Sequence, residues 1–447
     1  MSGLPLHRTS TWCCDCQTQH AAAILVEDQA VFLDVDCPRE PQRALLSNDA
    51  ATFRAVRDKS ALLAPVLESA RGMSWINFLE ITSECNCDCP ICYADAGGDG
   101  AESMSVAEVE RIARRLKAEG LKAISLTGGE PTLHPELLDV VRTVRGAGLD
   151  ATLISNGLRL GQDAALAKRL RESGLTYLYL QLDTLREEIC QKIRGDRLVA
   201  LRQQAMEHVR QSGVPFGVNT TVIRDNLEEV PALLQHATRY APHLNLVTFL
   251  TAARTGRFLL GDEVCLTRED IIAALVSSGL VEGLSADHFW PFPRFAPMGL
   301  DVHPDCGVNL MLALDRGRLR PLDHYVDVAA LFGRMSRAGG GVSQVRAGLQ
   351  LSSYFLRSVR PRQLPALTRM LRGLFTRKGD SSIITVVIEQ FSHGQFQDQE
   401  RLDRCTSCVI LKDGKRVPLC VYQHNDPRRS PDTRIAHKAA ARQAAGA

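Results

Sequence analysis

Between about residue 75 and residue 252 the chain alternates six short apolar runs with helix-like segments. This pattern restricts the fold to repeated strand-helix units around a parallel sheet. The runs are Trp75 to Ile81, Lys122 to Leu126, Ala151 to Ile154, Thr176 to Leu182, Phe216 to Ile223 and Leu244 to Leu250. After the first, Val106, Val109, Ile112, Ala113 and Leu116 recur at helical spacing, and Gly120 stands where a helix should stop. Pro135, ahead of Leu137, Leu138, Val141 and Val144 and then Gly146, repeats that start and stop. Six such units fit an incomplete barrel.

In folds of this kind the loops at the carboxyl ends of the strands converge on one face and carry the chemistry. Those loops hold the unusual residues here. Cys85, Cys89 and Cys92 follow the first run, Gly128-Gly129-Glu130-Pro131 the second, Ser155-Asn156-Gly157 the third and Asp183 the fourth.

Bulk composition narrows the function class. Lys plus Arg at 53 against Asp plus Glu at 51 gives a formal charge of +2, too little asymmetry to point to nucleic acid. A small molecule is the expected partner. Residues 1 to 11 are polar, without the apolar core of a secretory signal, and no run of eighteen apolar residues occurs. A cytoplasmic location is expected, where 14 cysteines serve as metal ligands better than as disulfides.

The spacing Cys85-x-x-x-Cys89-x-x-Cys92 suits a cubane iron-sulfur cluster, held by three thiolates with one iron left open. The competing reading is structural zinc, but a zinc knuckle needs four ligands and no Gly-Gly-Glu-Pro loop at the next strand end. Cys87 could replace a neighbour as ligand. The triad, followed by Tyr93 and by Gly128 to Pro131, resembles the radical S-adenosylmethionine (SAM) enzymes.

That resemblance implies a 4Fe-4S cluster on Cys85, Cys89 and Cys92 whose open iron chelates SAM. One-electron reduction would then give a 5'-deoxyadenosyl radical able to abstract unactivated hydrogens. It implies that Tyr93, Gly128, Gly129 and Glu130 bind SAM, the glycine pair letting backbone come close to the ligand. By similarity to the molybdenum-cofactor branch, Ser155 and Gln181 fall where polar side chains meet SAM, with Asn156 and Asp183 alongside. The run Leu178 to Leu185 and then Ile193-Arg194-Gly195 strengthen the match.

Two further cysteine groups flank the barrel. Cys13, Cys16 and Cys37, with Cys14 or a non-cysteine ligand as the fourth, resemble a rubredoxin or zinc-ribbon site for mononuclear iron or zinc. Cys405, Cys408 and Cys420 need one more ligand, for which Cys306 is the best candidate. The set would hold an auxiliary 4Fe-4S cluster, with structural zinc as competitor. Cys190 and Cys265 stand alone and read as buried core thiols.

This three-part arrangement resembles the radical SAM family of tetraether lipid synthase and the pterin methylase. The likeness runs through Asn86, Cys89-Pro90-x-Cys92, Thr255-Gly256-Arg257, Pro291-x-Pro293 and Arg404-Cys405 to Val417-Pro418-Leu419-Cys420-Val421-Tyr422. The expected fold is α/β, a partial (β/α)6 TIM-like barrel with an N-terminal metal-binding ribbon and a C-terminal auxiliary-cluster domain. The expected modules are residues 1-70, 71-262 and 263-447.

The function implied is carbon-carbon bond formation at an unactivated carbon, by C-methylation or alkyl coupling of a lipid or pterin-like substrate. An electron donor such as flavodoxin or ferredoxin would supply the reductant. The alternatives are a peptide-modifying or dehydrogenating radical SAM enzyme, and a non-catalytic iron-sulfur or zinc electron-transfer protein. Leu349 to Lys378, rich in Arg and Leu, reads as one or two basic amphipathic helices. Such helices cap a fold with a solvated face or make peripheral contact with an anionic membrane.

Overall fold

The computed structural model describes residues 5–13, 18–38, 42–63, 76–97, 101–253, 256–293, 302–338, 344–392 and 396–423. The chain divides into two compact units that interleave along the sequence. One comprises Met1–Trp75, Thr221–Thr251 and Cys265–Thr406, and the other Ile76–Thr220, Ala252–Val264 and Ser407–Ala447.

The first unit opens with β1 (His7–Cys13), β2 (Thr18–Glu27), β3 (Ala30–Val35) and β4 (Gln42–Ser47), an antiparallel meander, followed by α1 (Ala50–Ala61). Alternation sets one face inward: Ile24, Val31, Leu33 and Val35 are buried together with Phe53 of α1, which starts at an Asp49 cap.

The second unit is built on parallel strands. Its strands are β5 (Ile76–Thr82), β6 (Ile91–Cys92), β7 (Ala123–Gly128), β8 (Asp150–Ser155), β9 (Tyr177–Gln181) and β10 (Phe216–Val222). The parallel order is β5-β7-β8-β9-β10, with registers such as Leu79 opposite Leu126 and Leu153 opposite Leu178. Parallel neighbours need crossovers, supplied by α2 (Val106–Ala118), α3 (Leu137–Gly146), α4 (Leu158–Gln162), α5 (Leu166–Glu172), α6 (Glu187–Arg194) and α7 (Val199–Ser212).

Helix α2 starts in a Ser105/Glu108 capping box and buries Val109, Ile112, Ala113 and Leu116, the stripe expected from the sequence. Helix α3 runs through Gly146 and is capped by Ala147, one residue before the left-handed turn at Gly148, so the stop expected at Gly146 falls slightly later.

Helix α8 (Val230–Thr238) and β11 (Leu244–Thr251), which carries the sixth run of the sequence pattern, are counted with the first unit. The short β12 (Arg257–Phe258) returns to the second unit. The first unit continues with α9 (Arg268–Ser277), β13 (Trp290–Pro291), β14 (Gly307–Asp315), β15 (Arg318–Pro321), α10 (Val328–Ser336), α11 (Gln344–Leu356), α12 (Leu364–Thr376), β16 (Ser381–Glu389), β17 (Phe396–Asp398) and α13 (Gln399–Asp403).

Here β16 pairs parallel with β11 and antiparallel with β14, and β17 closes on β1. Leu367 and Met370 of α12 pack with Ala313 and Ile383 of these strands. Finally β18 (Ser407–Ile410), β19 (Arg416–Pro418) and α14 (Leu419–Gln423) complete the second unit, β18 lying parallel to β5. Among the described residues, no helix is long and apolar enough to cross a membrane.

Candidate active site

Strands β5, β7, β8 and β9 are consecutive neighbours, so the loops at their carboxyl ends sit side by side. After β5 the chain passes through Cys85, Cys87 and Cys89 into β6. The end of β7 is zipped to this loop: the Gly129 amide donates to the Thr82 carbonyl (2.8 Å) and the Glu130 amide to the Glu84 carbonyl (2.7 Å).

Only glycine permits that approach. A Cβ on Gly128 would stand 2.1 Å from the Thr82 oxygen, one on Gly129 2.1 Å from the Glu84 oxygen, and Gly128 has φ +131°. The sequence reading assigned this closeness to a ligand. In the structure the missing side chains admit the protein's own backbone.

Glu130 is buried, with only 1% of its surface exposed, and its carboxylate is fully engaged. One oxygen accepts from the Thr132 amide (3.0 Å), the Thr132 hydroxyl (2.5 Å) and the Ser155 hydroxyl (2.8 Å), and the other from the Asn156 amide (2.7 Å). Ser155 in turn accepts from the Gly157 amide (3.0 Å). Glu130 and Ser155 therefore fasten the β7 and β8 loops together, whereas the sequence reading placed both on SAM. Asn156 faces the cysteine loop, donating to the Asn86 side chain (2.8 Å) and reaching the Cys87 sulfur (3.5 Å).

Asp183 is wholly buried and also turned inward. It accepts from Arg194 Nε and Nη2 (both 2.8 Å) and from Arg202 Nη1 (3.3 Å). Arg202 also donates to the Gln181 side chain (3.1 Å) and the Asn156 carbonyl (3.2 Å), and Arg194 to the Ile91 carbonyl (3.0 Å). Two guanidinium charges against one carboxylate leave a buried positive excess behind Cys89. Sequence reasoning missed Arg202, yet a signal existed: it occupies the buried stripe of α7 with Val199, Ala205, Met206 and Val209, where an apolar residue belongs.

Arg257, read from the sequence only as part of a family likeness, has a role that the motif did not show. Backbone pairing of β12 with β6 sets it opposite Cys92. Its guanidinium donates to the carbonyls of Ala96 (2.5 Å) and Cys89 (3.3 Å), to Asp95 (3.1 Å) and to Asp88. The cysteine loop is thus tied from behind by one buried side chain. Of Thr255-Gly256-Arg257, Thr255 lies outside the described residues.

The thiols differ in their chemistry. Hydrogen bonding with Cys87 lowers the Cys85 thiol, and the same contact, aided by Arg194 and Arg202, lowers Cys89 to about 6. Cys87 itself is driven upward by its two sulfur neighbours, and burial pushes Cys92 up.

Zinc can be tested against geometry. Two thiolates on one tetrahedral zinc lie about 3.8 Å apart. Among the described residues, the only three Cys, His, Asp or Glu donors lying within 4.8 Å of one another are Cys13, His20 and Cys37. Cys85, Cys89 and Cys92 do not form such a group. The donor set and the positive charge behind it fit an iron-sulfur cluster.

The outer cysteines are distributed between the units. Cys13 and Cys37 are buried in the first, with His20 beside them, while Cys14 and Cys16 lie outside the described residues. Cys306 and Cys405 belong to the first unit and Cys408 and Cys420 to the second. Cys190 is buried in the core, as expected. Cys265 is only half-buried, because it sits in the short connection into α9 and not on an inward-facing stripe.

A sequence profile of the radical SAM superfamily matches residues 79–237. The chain carries a radical SAM domain, the class of enzyme that works with a 4Fe-4S cluster and S-adenosylmethionine. It is 26% identical over 364 residues to the 7,8-dihydro-6-hydroxymethylpterin dimethyltransferase of Methanocaldococcus jannaschii, covering 72% of this chain and 71% of that one.

It is 31% identical over 170 residues to a probable GTP 3',8-cyclase of Pyrococcus abyssi, covering 38% of this chain and 55% of the cyclase. The chain thus spans about half the length of that relative. Among solved structures, methylornithine synthase (PylB) overlays at a TM-score of 0.38 with 20% identity, covering 50% of this chain and 75% of that one.

Proposed function

We propose that the chain is a C-alkylating radical SAM enzyme, forming a carbon-carbon bond at an unactivated carbon of a pterin-like or lipid substrate by methylation or alkyl coupling. The observation that carries this reading is the extent of the likeness to the pterin dimethyltransferase. It runs over 364 residues, far beyond the matched domain at 79–237, whereas the cyclase likeness stops at 170.

Cys85, Cys89 and Cys92 would hold the cluster, which with SAM supplies carbon-centred radical chemistry when bound. Around it, this chain's residues orient and shield. Tyr93, Asn156, Gln181 and the carbonyls of Gly128 and Gly129 are the groups proposed to meet SAM. Glu130, Ser155 and Asp183 act one step back, holding those loops in register. Arg194 and Arg202 supply positive charge toward Cys89, which favours the thiolate over the thiol. Flavodoxin or ferredoxin is the proposed electron donor.

Residues 1-70, 71-262 and 263-447 are proposed as the metal-binding, radical and auxiliary modules. Cys306, Cys405, Cys408 and Cys420 are the proposed ligands of the auxiliary cluster. A lipid substrate is supported by the surface of α11 and α12. Residues 344–379 contain eight Lys and Arg and no Asp or Glu, with Leu349, Leu356, Leu364 and Phe375 exposed among them. Exposed apolar side chains on a segment rich in cations suit an anionic membrane surface.

The test is product analysis with purified, reduced enzyme and SAM. New methyl or alkyl carbon on a pterin or lipid extract supports the reading. SAM cleavage with carbon transfer to neither class of extract contradicts it.

A further inference from the structure

Cys13 ends β1, His20 is the third residue of β2, and Cys37 follows β3. The antiparallel ladder places His20 opposite Thr11, two residues before Cys13, and the donor atoms of all three side chains lie within 4.8 Å of one another. Both thiols are buried, and their sulfurs are 4.0 Å apart. That is about twice the ~2.05 Å length of a disulfide bond. It is close to the about 3.8 Å expected for two thiolates on one tetrahedral zinc. Thr18 Oγ1 lies 2.9 Å from His20 Nε2, the kind of outer hydrogen bond that orients a ligating imidazole.

We propose that His20 is a metal ligand and that Cys13, His20 and Cys37 supply three of the four ligands of a structural zinc ion. A rubredoxin-type iron is held by thiolates alone, whereas mixed thiolate and imidazole donors suit zinc, which has no redox chemistry. One ion would link β1, β2 and the end of β3. Its binding energy would then count as folding energy for this sheet. The N-terminal sheet is accordingly a zinc-stabilised scaffold and not an electron relay. This inference is independent of the radical chemistry proposed above.

The experiment uses the full chain expressed with both zinc and iron available, read by elemental analysis and zinc-edge X-ray absorption. The expected result is zinc in a mixed shell, with sulfur at about 2.3 Å and nitrogen at about 2.0–2.1 Å. His20→Ala should weaken zinc retention against a chelator by about tenfold or more. His20→Cys should retain zinc in an all-sulfur shell. In both variants the iron and sulfide bound elsewhere should be unchanged.

Zinc retained in His20→Ala with an unaltered shell would overturn the assignment. So would iron at this site in the wild type, or a Cys13–Cys37 disulfide found by mass spectrometry. Should His20→Ala fail to fold, the wild-type shell and the His20→Cys shell still decide.

Discussion

Arg194 grips Asp183 through two parallel hydrogen bonds of 2.8 Å, with the carboxylate fully buried and Arg202 Nη1 a third donor at 3.3 Å. Removing the one negative charge would strand two buried guanidinium groups. Asp183→Asn is therefore expected to destabilise the protein by about 3–5 kcal/mol, read from the urea midpoint of the metal-free chain. A loss within experimental error would mean that Arg194 and Arg202 are solvated without their partner.

Arg257 binds two carbonyls and two carboxylates of the cysteine loop. Arg257→Ala leaves the carbonyls of Cys89 and Ala96 unsatisfied, at a cost of about 1–3 kcal/mol. Iron bound after reconstitution should drop while the far-ultraviolet spectrum stays native. Arg257→Lys, unable to span four acceptors, should recover little of it. Full iron loading in both variants would refute this role.

Glu389, the last residue of β16, titrates unusually high: burial pushes its carboxyl up from 4.5 to about 7. The unfolded chain ionises first as pH rises, so the folded state binds more protons between these values. Stability is then fullest below about pH 4.5 and declines as pH passes through about 7. Glu389→Gln should flatten that decline in denaturation curves taken between pH 5 and 8. An unchanged slope would show that another group governs it.

Leu349 and Phe375, 67% and 80% exposed on α11 and α12, sit among the cations of residues 344–379. The double variant Leu349→Asp, Phe375→Asp should lose sedimentation with phosphatidylserine vesicles and keep its thermal midpoint. Wild type that ignores such vesicles at low salt would remove the support for a lipid substrate.

The alternation of apolar runs made five neighbouring strands readable to within a residue or two, since each carries a row of buried apolar side chains and is bounded by its crossover helices. What the sequence concealed was long-range. Residues 396–398 pair with β1, and β16 joins β11, because a short edge strand and a distant strand leave no local mark of their partners. Within the site, the cysteine spacing and the glycine pair were legible as motifs. The placement of Glu130, Ser155 and Asp183 behind the loops was not, since a turn residue and a ligand residue look alike until the hydrogen bonds are seen. Arg202, Arg257 and His20 depended on contacts 12 to 169 residues apart or across a strand ladder.

The central claim is that Cys85, Cys89 and Cys92 hold a cluster competent for SAM chemistry. Protein purified without oxygen, reduced with dithionite and given SAM should release 5'-deoxyadenosine, and Cys89→Ala should release none while Cys190→Ala still does. A colourless wild-type protein with zinc and no inorganic sulfide at those three cysteines, forming no 5'-deoxyadenosine, would contradict it.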